Sequence, residues 1–298
     1  MLLELSSPFI CLTYVKYCAT FPMEVNPVAQ IIHSLQDLTH LSWSHVRGSS
    51  GTAGSFLKSY EETPEGKIYY KLSNYDSFRG IIGHECVNEI IADRLLTILG
   101  IPHLSYTLIH ATILLEDLPH QTWLCASSDY KRPGERKLAL DTYYQTEHLP
   151  GESPMEFCVR CGWGQEIYHM LVFDFLILNR DRHGANMEIL MDRSRKEVRL
   201  APLFDHGVSL LSRCPDESAM LRENLLEDKP VQCFVGSHSS WQNLDLIPPE
   251  KRPALHPLRS ADRSILLEGL SDALDSKWLN RIWEMIWQRW EAYANLCR

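Results

Sequence analysis

Apolar positions along this chain follow two spacings, and the changes between them mark out its elements. From 28 to 41, VAQIIHSLQDLTHL sets its apolar residues about three and four apart and predicts a short amphipathic helix. RGSSGTAGSFLKSY (47–60) then breaks the pattern with three glycines and a run of hydroxyl residues. GSFLKSY and KIYYKLSN read as strands joined by the turn residues of EETPEG, so 47–74 is expected to be a hairpin opening on a Gly-rich loop. Residues 82–99 predict a helix stopped by Gly100 and Pro102, and SYTLIHATILL and TWLCASSD predict two more strands.

Beyond a polar connection (131–164), QEIYHMLVFDFLIL is apolar on nearly every side and predicts a buried helix. NMEILM and EVRLAPLFD flank the polar turn DRSRKE as a second hairpin. In SKWLNRIWEMIWQRWEAYANL, Leu279, Ile282, Trp283, Ile286, Trp290 and Tyr293 recur at helical spacing and read as core. The expected fold is α+β and bilobal: a 1–46 extension, a 47–130 lobe with a small antiparallel sheet and one helix, and a mainly helical 131–298 lobe.

Composition narrows the function. The 298 residues are 45% hydrophobic and 22% charged, ordinary for a globular protein of one or two lobes. A net charge of -9 with scattered basic residues argues against direct nucleic-acid binding. Nine cysteines without repeating spacing fit free thiols in a reducing compartment, so the cytoplasm is the expected location, with secretion still open. The first 21 residues are apolar but have no basic n-region, carry Lys16 and lack an A-x-A site; Met23 is an alternative start. No stretch is long enough for a membrane span.

The candidate chemistry is concentrated in LNRDRHGANMEILM (178–191), directly after the apolar helix. Phosphoryl transfer requires a loop over the phosphates, a lysine, metal-binding oxygens and a base for the acceptor hydroxyl. Gly48, Ser49, Ser50, Gly51, Thr52, Ala53, Gly54 and Ser55 form a loop whose N–H groups can cradle phosphate oxygens. Lys71 ends an apolar strand, within reach of α- and β-phosphates. Glu85 and Glu89 share a helix face, and either can orient that lysine. Asp181 is the candidate base, and Asn186 and Asp205 are hard oxygen donors suited to Mg2+ or Mn2+. His183 is read as a brace of the loop, and Arg182 as a partner for a phosphate or an acid. Asp174 needs a basic or N–H partner if buried, and His206 is either a support for Asp205 or an exposed side chain. Cys158 and Cys161 form a C-x-x-C read as two ordinary thiols.

Taken together, GSSGTAGSFLK, YYKLS, NRDRHGAN and LAPLFDHG resemble the HipA-like serine/threonine kinases, most closely their short, CtkA-type forms, over roughly 47–210. The D-R-H-x-x-N loop is also similar to that of phosphatidylinositol 3- and 4-kinases. The resemblance implies a protein-kinase-like fold, ATP and Mg2+ as cosubstrate and metal, Asp181 as catalytic aspartate, Asn186 and Asp205 as Mg2+ ligands and Lys71 as ATP lysine. It favours Glu89 over Glu85 and puts nucleotide hinge contacts near CASSD (125–129), Ser127 among them. It also implies a protein Ser/Thr acceptor and autophosphorylation at Ser49, Ser50, Thr52 or Ser55. Two departures stand out: only about 45 residues precede the Gly-rich loop, and the catalytic loop reads R-D-R-H instead of T-D-G-H. They leave an antitoxin partner open. The alternatives are a lipid or small-molecule kinase and a non-catalytic ATP-binding regulatory module.

Overall fold

In the computed structural model, which describes residues 30–46, 53–64 and 66–298, Thr63 pairs with Gly66 across a tight turn. That pairing sets the hairpin register back to Lys58 opposite Lys71. The first half of the chain runs β1 (Gln30–Asp37), β2 (Ser44–Val46), β3 (Ala53–Thr63), β4 (Gly66–Leu72), the short β5 (Tyr75–Asp76) and β6 (Gly80–Ile81), α1 (Glu85–Leu99), β7 (Thr107–Leu115) and β8 (Leu118–Ser128). Six of these strands form one sheet in the order β1-β7-β8-β4-β3-β2, antiparallel except where β1 meets β7. Period-two alternation divides β4: Tyr70 and Leu72 join Leu57, Ile109, Ile113 and Leu124 on one face, while Lys71 points to the other. α1 covers that second face and buries nearly every residue it has, polar ones included.

Of the helix expected over 28–41, residues 30–37 are instead a strand and 38–41 leave it through a turn. Ile31 and Ile32 pair with Leu108 and Ile109 of β7, and the two neighbours find apolar cover on opposite faces of the sheet. A short helix would put both on one stripe and leave the edge of β7 unpaired, so the sheet overrides the local spacing. α1 ends at the predicted place, with Gly100 in the left-handed conformation at φ 75° and its N–H returned to Leu96 and Thr97 carbonyls.

The second half continues with β9 (Arg136–Ala139), α2 (Leu140–Glu147), α3 (Pro154–Arg160), α4 (Gly164–Ile177), β10 (Asp181–Arg182), β11 (Glu188–Asp192), β12 (Glu197–Leu200), α5 (Glu217–Arg222), β13 (Gln232–Cys233), α6 (Ser240–Asp245), α7 (Asp262–Leu267) and α8 (Ser276–Leu296). The stretch expected to be a polar connection thus holds one strand and two helices. β9 pairs with β11 beside the predicted β11–β12 hairpin. α3 starts at a capping box, in which Ser153 and Glu156 each accept from the other's backbone N–H. α8 buries Leu279, Ile282, Ile286 and Tyr293 against α4. Its fully buried Arg289 donates to the carbonyls of Leu225, Phe175 and Glu227 and pins α8 to the end of α4. Among the described residues no helix is long and apolar enough to cross a membrane.

Candidate active site

Lys71 leaves the sheet toward α1, and its ammonium sits between two carboxylates: Glu89 Oε1 at 2.8 Å and Asp205 Oδ1 at 2.5 Å. Burial alone would lower its pKa. The two acids outweigh that and hold it well above the ordinary lysine range, so the amine is a fixed cation. Glu89 is the acid that reaches it; Glu85, one turn earlier, instead accepts from the Asn74 N–H at 3.1 Å, and burial raises its pKa.

Glu89 has a second set of partners. Its oxygens accept from the backbone N–H groups of His206 at 2.8 Å and Gly207 at 3.0 Å. Asn88 reaches the same segment, donating to the carbonyls of Gly207 and Ser209. α1 therefore orients the lysine and grips the loop that carries Asp205. The fit is tight at Gly207, where a Cβ would lie 3.0 Å from the Glu85 Cβ and 3.2 Å from its carbonyl oxygen. Asp205 itself adopts a left-handed φ of 59°, which short acidic side chains tolerate, and its N–H donates to the Tyr106 hydroxyl. His206 is buried, with its ring edge-on to Phe173 and its pKa pushed well down by burial; it is not an exposed side chain.

The DRHGAN loop is held from below by Arg182, which is 1% exposed. Its guanidinium forks onto Asp174 of α4, with Nε at 2.8 Å and Nη2 at 2.9 Å from the two carboxylate oxygens. Nη1 donates to the carbonyls of Asn186 and Phe204, each at 3.0 Å. One side chain thus ties together the helix, the 181–186 loop and the residue before Asp205. Asp174 has the basic partner that its burial calls for, and Arg182 holds an acid.

Asp181 lies at the loop's mouth. The Asn186 amide donates to its carbonyl at 2.8 Å and, longer, to its carboxylate at 3.3 Å; the His183 Nε2 stands 3.6 Å away on the other side. His183 also accepts the Ala185 N–H through Nδ1, so it caps the turn it was expected to brace. Burial and the nearby Asp205 raise the Asp181 pKa, with His183, Lys71 and Arg213 opposing. Gly184 lets the loop press on α2, since a Cβ would meet the Asp141 Cβ at 2.4 Å.

The structure brings Lys71, Glu89 and Asp205 into direct contact and Asp181, His183 and Asn186 into one hydrogen-bonded loop. Asp181 and Asp205 are close enough to influence each other's ionisation. Ser127 is half-buried near the end of β8, opposite Tyr69 and two residues past the Cys125 that faces Lys71. Gly48, Ser49, Ser50, Gly51 and Thr52 lie outside the described residues, as does Met23; Ala53, Gly54 and Ser55 open β3. Cys158 and Cys161 are free thiols, and burial pushes Cys158 up to about 12.

Two further groups were not singled out from the sequence. Lys58 Nζ is 3.7 Å from Asp205 Oδ2, so two lysines converge on that carboxylate. The hairpin register carries the signal: once Thr63 is opposite Gly66, Lys58 falls opposite Lys71. Tyr106, which supports Asp205, has no local signal.

The residues present suit a magnesium ion. Asp205 supplies a carboxylate, and the donation of the Asn186 amide nitrogen to Asp181 sets which end of that side chain is the oxygen. Among the described residues no group of three or more His, Cys, Asp or Glu converges as a metal cluster. Two protein oxygens are nonetheless ordinary for Mg2+, which keeps waters and substrate phosphates as its other ligands.

A small antiparallel-rich sheet with one covering helix, set against a helical half, and with these loops where the halves meet, defines a mixed α+β, kinase-like fold. Among solved structures, the chain is similar to the Helicobacter pylori proinflammatory kinase CtkA, with a TM-score of 0.56 at 14% identity over 86% of this chain and 93% of that one. It also matches HipA from the Shewanella oneidensis MR-1 HipA, HipB and operator DNA complex, with a TM-score of 0.41 at 15% identity, over 85% of this chain and 60% of that one. No protein-family model and no curated protein matches.

Proposed function

We propose that this protein is an ATP- and Mg2+-dependent kinase that transfers the γ-phosphate to a serine or threonine hydroxyl of a protein. The observation that carries the reading is the buried Lys71 cation held between Glu89 and Asp205, beside an Asp181 whose pKa is raised. A buried cation held by two acids beside a candidate base is an arrangement that a triphosphate can enter and rearrange.

In this reading Glu89 keeps the Lys71 ammonium aimed at the α- and β-phosphates, and the 48–55 loop covers them. Ser127 lies at the adenine edge. Asn186 and Asp205 would hold Mg2+, which would supply positive charge to neutralise the phosphate oxygens. Lys71 exchanges part of its contact with Asp205 for phosphate. Asp181 accepts a hydrogen bond from the acceptor hydroxyl and takes its proton as the oxygen attacks the γ-phosphorus, while the bond from that phosphorus to the β–γ bridging oxygen breaks and ADP leaves with the electron pair. His183 caps the turn on which Asp181 sits and steadies the carboxylate. A division of the lobes near residue 130 and a cytoplasmic site of action belong to the same reading.

The test is transfer of labelled γ-phosphate from ATP with Mg2+, using the protein itself, a generic protein and phosphoinositide vesicles as acceptors. Wild type, Asp181→Ala and Asp205→Ala are compared. Label on serine or threonine that both substitutions reduce by about 100-fold or more supports the reading. Label on lipid alone moves the activity to a lipid kinase. ATP binding with no transfer to any acceptor makes the protein a regulatory module.

A further inference from the structure

Lys58 is a cation to which the transfer step above gives no task. It lies on β3, just past the 48–55 loop, and the hairpin register sets it opposite Lys71. Alternation along β3 sends Leu57 into the apolar cluster on one face of the sheet, whereas Phe56 and Lys58 point to the other. Both of these side chains reach the charged cluster. The Phe56 ring centre lies 4.9 Å from the Lys71 Nζ, and the Lys58 Nζ lies 3.7 Å from Asp205 Oδ2. One face of β3 therefore covers the Lys71–Asp205 pair.

The two lysines hold Asp205 differently. Lys71 takes Oδ1 at 2.5 Å, has Glu89 as a second acid, and keeps its side chain only 10% exposed. Lys58 takes the opposite oxygen at the outer edge of ion-pair range, and its side chain is 26% exposed. A long, partly solvated pair adds little to stability, so a phosphate can draw Lys58 away at small cost. An Asp205 that binds magnesium must give up lysine contact, and of the two lysines Lys58 is the more loosely held.

We propose that Lys58 is a second phosphate-binding lysine, which grips the terminal phosphate of bound ATP and makes the site prefer a triphosphate to a diphosphate, a role that rests on the kinase reading above. Lys71, clamped by Glu89, serves the inner phosphates. Asp205 would hold magnesium against the outer ones. Lys58, on the Asp205 oxygen that Lys71 does not take, is left for the terminal phosphate. A compact charge on a flexible four-carbon stem suits a group that must let go of a carboxylate to take up a phosphate. A lysine that only steadied Asp205 would instead affect both nucleotides alike.

The test is binding without turnover: titration calorimetry of the full-length protein with Mg2+ and either β,γ-imido ATP or ADP, comparing wild type, Lys58→Met and Lys58→Arg. Wild type is expected to bind the triphosphate about 10-fold or more tightly than ADP. Lys58→Met should lose about 10-fold for the triphosphate and about 2-fold or less for ADP, bringing the ratio toward one, and Lys58→Arg should keep most of the preference. Lys58 is partly exposed, so the variants are expected to keep the wild-type unfolding midpoint, and retained ADP binding is a second control for folding. A wild-type ratio near one, equal weakening of both nucleotides in Lys58→Met, or a ratio that Lys58→Met leaves unaltered overturns the proposal while leaving a kinase. Binding of neither nucleotide removes the kinase reading and the proposal together. The expected change of ratio with no phosphate transfer to any acceptor upholds the proposed contact in a nucleotide-binding protein and removes the kinase reading alone.

Discussion

Two buried charge clusters lie close together in this molecule, and they are built on opposite plans. Arg182 spends its guanidinium on a bidentate carboxylate and two carbonyls, all inside the protein. Lys71 is held by two acids, one of which sits in a left-handed turn and is approached by a second lysine. The first cluster has its hydrogen bonds closed and joins three chain segments. The second concentrates charge that a phosphate can rearrange. Burial of charge therefore does not mark a site by itself; what separates the two is whether the partners are fixed scaffold or exchangeable.

Substituting the two cations breaks or sharpens that contrast most strongly. Arg182→Met leaves Asp174 buried without its countercharge, with the Asn179 amide still donating to it, and should cost about 3–5 kcal/mol of stability, read from denaturant unfolding. Lys71→Met should lose about 1,000-fold or more in phosphoryl transfer, roughly 4 kcal/mol of barrier, with a smaller stability change because Glu89 keeps two backbone N–H donors. Equal stability losses in both variants, or an active Lys71→Met protein, would erase the distinction.

A third buried group tests the same contrast by pH. His84 packs against Trp278, and burial pushes it down to about 4 from an ordinary 6.5. The folded state favours its neutral form. Its contribution is therefore fully present above pH 6.5 and is lost as pH falls toward 4, about 3 kcal/mol in all. His206, also pushed down, adds in the same sense. Unfolding free energy measured from pH 7 to 4 should fall more steeply in wild type than in His84→Phe.

Gly207→Ala gives a smaller effect. It pushes the 205–207 segment off α1 and should cost about 1–3 kcal/mol, with a rise in KM for ATP as Asp205 shifts. An alanine variant with wild-type stability and KM would show that α1 and the loop are not coupled through this contact.

Much of this was readable in the chain because it is local. The β3–β4 hairpin, α1 with its Gly100 stop, and the DRHGAN loop after an apolar helix all carry their signals within a few residues. Glu89 was separable from Glu85 only by resemblance, since both fit the lysine by helical spacing, and the fold decides between them by tertiary position. β1 was misread because its partner β7 lies some 75 residues away, and the S-P-M-E cap of α3 was legible but hidden in a polar stretch. Arg182 looked ambiguous because its four acceptors come from three segments.

The finest test concerns Asp181 and runs between the two halves of the site. Burial and Asp205 raise its pKa from the ordinary 3.8, while Lys71 and His183 pull it back. A base must be deprotonated to act, so the rate should fall on the acid side at a pH above 3.8, not at it. Removing the ammonium removes one of the restraining charges. In Lys71→Met the Asp181 carboxylate should titrate at a higher pH than in wild type, a shift that carbon NMR of labelled aspartate reads without any turnover. An unchanged midpoint would mean that solvent screens the lysine from the base, leaving Asp205 as the only member of the charged cluster to which Asp181 responds.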